Sequence, residues 1–165
     1  MSTDTRREIP NAAGEYEMLD AFLEWHQQTV LLKIAGLSET DLRRTMTPSG
    51  VTPLGVVKHL AYVHRFWFRV VFLGEDVAMP WSETDRDADW RIEPEDSTAA
   101  ISALYQDEVD RGRAIAAAHS LDEMAKNPLR QKSLRWIVVH MLEEIARHNG
   151  HLDMMREAID GQTGE

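Results

Sequence analysis

The sequence predicts an all-α protein built as a four-helix bundle with long crossover connections. Three observations carry that prediction. Four segments show apolar residues at three- and four-residue spacing, no segment of any length alternates as a strand does, and two Pro-bearing stretches separate the later helices. The chain has 165 residues, enough for one domain with its own core.

Residues 1–13 are polar, contain Pro10 and Asn11, and read as a flexible N-terminal arm. Residues 14–161 read as the single bundle domain. The first helix starts near Gly14 and ends near Gly36, with Leu19, Phe22, Leu23, His26 and Val30 on its inward face. Ser38 to Asp41 reads as one short helical turn. Pro and Gly make residues 47–53 a loop, after which Thr52 caps a second helix with Pro53 at its first position. That helix runs to about Leu73 and is apolar around most of its circumference, so it should be largely buried.

Residues 74–96 change character, with nine acidic side chains, two prolines, Trp81 and Trp90. A connection this long is often functional, although a solvated crossover anchored by its tryptophans explains it equally. The third helix follows from about Ser97 to Ala118, with Asp96 or Ser97 as its cap. After a loop around Pro128, the last helix runs from Ser133 to Asp160 and stops at Gly161.

Composition excludes several functions. The sequence contains no cysteine, so it supplies no disulfide, thiolate ligand or cysteine nucleophile. A net charge of −10 argues against nucleic acid as a partner. Apolar runs break well before the roughly 20 residues a membrane span needs, so no membrane association is expected. The N-terminus lacks an apolar signal core. A cytoplasmic protein is expected, with a homodimer as its assembly.

Chemistry concentrates on the last helix. At about 100° per residue and with Glu144 at zero, His140 falls near −40°, His148 near +40° and His151 near −20°. Ile137, Met141 and Met155 share that side, whereas Arg135, Asp153, Arg156, Glu157 and Asp160 lie opposite. A buried carboxylate is costly without a partner. Glu144 and His148 stand one turn apart on one face and can chelate a divalent cation. On the second helix His59 points inward, in line with Val56, Val63, Phe66 and Val70, and offers a third ligand. His64 lies about 140° away from His59. His26 shares the inward face of the first helix and can line the same cavity, and His119 sits solvated at a helix end. A hydrogen-bonded core cluster would explain the same pattern without metal. The Glu-x-x-His pairs of di-iron bundles and the His-Glu-x-x-His of zinc hydrolases are both absent.

Three stretches, VTPLGVVKHLAYVHRFWF, DADWRIEPEDS and HMLEEIARHNGHLDMMREAIDG, resemble the DinB superfamily, especially a large actinobacterial branch of it. The resemblance spans most of residues 15–161. It implies a four-helix bundle of crossed order holding one divalent ion. The ligand pattern is similar to that of mycothiol-dependent maleylpyruvate isomerases, and it implies His59, Glu144 and His148 as metal ligands. His151 stands where many relatives have glutamine, and His64 where close relatives often have glutamate. The implied function is a metal-dependent thiol transferase or isomerase. It would act with a low-molecular-weight thiol such as mycothiol on small electrophiles. The alternative is a non-catalytic bundle that binds a divalent metal or small ligand. Zinc is the default ion and nickel also fits. His140, His151 and His26 are candidates for proton transfer, and Trp90 is a candidate for contacting the thiol.

Overall fold

The computed structural model describes residues 6–164, so residues 1–5 of the N-terminal arm lie outside the described residues. Five α-helices follow in order: α1 (Glu15–Ile34), α2 (Glu39–Leu42), α3 (Pro53–His64), α4 (Thr98–Ala118) and α5 (Leu134–Asp160). The four long ones form the bundle, with α1 packed along α5, α3 along α4, and α3 also against α5. The described residues form no strand, only an isolated antiparallel bridge between Met124 and Ser133. None of the described helices is long and apolar enough to cross a membrane.

Local chemistry sets the helix ends. Thr52, Ser97 and Ser133 each accept a hydrogen bond from a backbone N–H three residues on, at 3.0, 3.1 and 3.2 Å. At the far end of α5, Gly161 takes a left-handed conformation at φ 78° that other residues resist.

Two inward faces differ from the sequence expectation. In α1 the buried line is Ala21, Leu23, Gln27, Val30 and Ile34, while Phe22 stands 41% exposed. The second helix does not stay α-helical to Leu73. It widens into a π-helix over Arg65–Phe72, where each turn takes up more residues than an α-turn. The phase therefore slips. Phe68, Val71 and Phe72 enter the core, and Phe66 and Val70 are left half-buried. Phe68 closes tightly on α4, where a Cβ on Gly112 would meet its ring at 2.7 Å. The same slip turns Arg65 and Arg69 toward the buried carboxylate of Glu108, at 2.7 and 3.1 Å.

On α5 the buried face is centred about 80° from Glu144, through Leu134, Val138, Ile145, Leu152 and Arg156. Arg156, expected on the solvent side, is buried because its guanidinium donates to the carbonyls of Lys33 and Ala35, at 3.0 and 2.7 Å. These are terminal carbonyls of α1 that the helix itself leaves unpaired.

A candidate metal centre between α3 and α5

The rotation of α5 places Glu144 at the edge of the core. Its side chain is 23% exposed, beside His148 at 7% and His59 of α3 at 13%. One ligand atom from each of these three lies within 4.8 Å of the others. Glu144 Oε1 is 3.4 Å from His59 Nε2 and 3.3 Å from His148 Nε2.

The crossover that enters α4 forms the site's third wall. Asp89 is 2% exposed, and its Oδ2 accepts from His59 Nδ1 at 2.7 Å. The Trp90 ring stacks on His59 at 3.7 Å. A glycine on α3 allows this approach, because a Cβ on Gly55 would lie 2.5 Å from the Trp90 carbonyl oxygen. Lys58 then ties the crossover down, donating to the Arg91 carbonyl at 2.8 Å and pairing with Asp96 at 2.7 Å. Trp81 anchors the earlier part of the crossover against Tyr62 and Phe66.

The donor set fits a cation. Asp89 can only accept, so His59 keeps its proton on Nδ1 and turns the Nε2 lone pair toward Glu144. Two acceptors then face each other and need a proton or a metal ion between them. Two bonds of about 2.0–2.1 Å at a tetrahedral angle span about 3.3 Å, which is the observed separation and longer than a good hydrogen bond. Burial resists charging of His59. A proton on Nε2 would bond Glu144 as Nδ1–H bonds Asp89, and these bonds with the two charges outweigh burial and raise the His59 pKa. In the same way, protons on the facing nitrogens of His148 and His59 hold the Glu144 carboxyl far below the usual carboxylate range. Both shifts mark a site that attracts positive charge.

The remaining histidines separate by role. His151 Nδ1 lies 3.2 Å from His148 Nδ1. Its pKa is lowered by burial and by the neighbouring His148. His140 is not drawn in; it stacks on Trp136 at 4.9 Å and sits edge-on to Trp67. His26 faces Asn149, whose amide donates to the His26 carbonyl at 3.0 Å. His64 is fully buried among Gln27, Phe68 and Tyr105. His119, expected in solvent, is half-buried against Phe72 and bonded to Glu123 at 2.9 Å. Asp89's bond to His59 was not legible in the sequence, where it is one of nine acidic residues in the crossover.

The profile of the mycothiol S-transferase family matches residues 18–161. The chain belongs to that family. It is accordingly a member of the DinB-like superfamily of helical bundles. No curated protein matches it. Family membership links the chain to mycothiol-dependent transfer, which fits a chain with no cysteine of its own.

Proposed function

We propose that this protein is a metal-dependent S-transferase that joins mycothiol to a small electrophile, with His59, Glu144 and His148 holding zinc. The observation that carries the reading is the pair of histidine nitrogens set 3.3 and 3.4 Å from one carboxylate oxygen. When bound, a divalent ion held by two neutral histidines and one carboxylate keeps a net positive charge and favours thiolate over thiol at neutral pH.

The chain's own residues prepare that site. Asp89 holds His59 in the tautomer that presents Nε2. Glu144 supplies the compensating charge, and Trp90 covers the His59 ring and keeps water from that side. His151 accepts at Nδ1 from the Nδ1–H of His148 and so keeps that ligand's Nε2 lone pair free for the metal. The reaction is expected in the cytoplasm, where thiols stay reduced.

The test is thiol dependence. Tag-free protein should carry about one zinc per chain. With mycothiol present, turnover should rise from zero with thiol concentration, saturate and vanish on chelation. Turnover without thiol would refute the proposal and point to hydrolysis.

A further inference from the structure

Beside the metal centre lies a cavity of about 460 Å³, within the range of small-ligand sites. Trp90 and His151 form its inner wall, and they touch His59 and His148 respectively. Any molecule seated there is therefore next to the proposed metal. The rest of its surface is Met46, Val51, Met154, Met155 and Ala158, with the hydroxyls of Thr47 and Ser49. No lining residue carries a carboxylate, ammonium or guanidinium group. A second cavity of about 760 Å³ shares Ser49, Val51 and Trp90 and is more polar, with Arg43, Asp87 and Arg91 in its wall. Its cations are already engaged: Arg91 pairs with Asp85 and Glu93 at 2.5 and 2.6 Å, and Arg43 donates to the Asp96 carbonyl.

We infer that the apolar cavity is the electrophile site and that its substrates are uncharged molecules with a flexible hydrocarbon body, the polar cavity being left to the hydrophilic thiol. The inference rests on the transferase reading for its chemistry, but the cavity's selectivity stands on its own lining. Methionine side chains bend and polarise to fit bodies of varied shape, so chain length should matter more than exact form. A carboxylate at the far end of the body, among Met46, Met154 and Met155, would lose its water without gaining a cation there, which disfavours acceptors with a charged tail.

Two measurements test this. The first uses zinc-loaded protein, mycothiol and straight-chain α,β-unsaturated methyl ketones of increasing length, beside an acceptor of matched length ending in a carboxylate. In each reaction the sulfur–carbon bond forms at the β-carbon as the C=C π bond breaks. The thiol's proton ends on the α-carbon, so no other reagent is consumed. We expect kcat/KM to rise about three- to fourfold per methylene until the cavity is full, and the carboxylate to lose that gain. The second follows binding of saturated, unreactive methyl ketones to the same protein through ¹³C-methyl methionine NMR. Met46, Met154 and Met155 should shift and Met124 should not, with Kd falling along the series. Met154→Glu, at a position 72% exposed where folding is not at stake, should flatten the gradient and leave zinc content unchanged. A flat series, or a carboxylate used as well as its neutral match, would overturn the inference. Ketones that bind at these methionines while no acceptor turns over would overturn the transferase reading alone.

Discussion

Asp89→Asn isolates the electrostatic argument for the metal centre. The native carboxylate is 2% exposed and lies 2.7 Å from His59 Nδ1, so it makes a short, charge-assisted bond with little solvent screening. Such a bond contributes about 1.5–3 kcal/mol, roughly twice a neutral one. Asparagine keeps the shape and can still accept, so about half should be lost, about 0.8–1.5 kcal/mol. It also removes one of the two negative charges, on Asp89 and Glu144, that favour a cation at the site. Zinc affinity should fall about tenfold, and in Asp89→Ala by up to about a hundredfold. Competition against a chromophoric chelator at pH 7.5 reads this directly, with melting of the zinc-free variants as the control for folding. An Asp89→Asn protein that binds zinc within twofold of wild type would refute the idea that the Asp89 charge strengthens the site.

Glu144→Gln should reduce zinc affinity more than it reduces zinc-free stability, while His26→Ala should leave zinc bound; metal titration and melting of both variants check this. Gly55→Ala should push back the Trp90 carbonyl, costing about 1–3 kcal/mol and weakening zinc binding; Gly112→Ala should cost stability through Phe68 without touching zinc affinity. His64 gives the pH prediction. Burial lowers its pKa from 6.5 to about 4, so below pH 6.5 the unfolded chain takes up a proton that the folded chain refuses. Its contribution is complete above pH 6.5 and declines as the pH falls to about 4, by about 3 kcal/mol in all. Denaturant unfolding across that window should show this slope in the wild type and lose it in His64→Gln; equal slopes would refute it.

Much of this protein was legible from spacing alone. Caps at Thr52 and Ser97, the stop at Gly161 and the four periodic segments depend on contacts within a few residues, so they appear in the sequence directly. The pairing of Glu144 with His148 was also within reach, because residues four apart on a helix must share a face, whatever the fold; His59 joins them through the packing of α3 on α5. Depth was not within reach. Helical phase placed His140 beside Glu144 on the inward face, but the face of α5 is set by what α1 and α3 bring against it, and it turned toward Ile145. The π-helical turn likewise answers to tertiary demands, the ring of Phe68 on Gly112 and the carboxylate of Glu108, which lie more than forty positions away in the chain. Asp89 and the methionine cavity belong to the same class. A carboxylate in an acidic crossover looks like any other until Gly55 lets the backbone of Trp90 settle on α3 and brings its neighbour to His59. The helices and the side chains on offer to a cation follow from the chain's local order, because they are short-range consequences of helix geometry. Which histidines come together, which carboxylate bonds them and what cavity opens beside them follow from the fold, because packing between distant segments sets burial, tautomer and cavity shape.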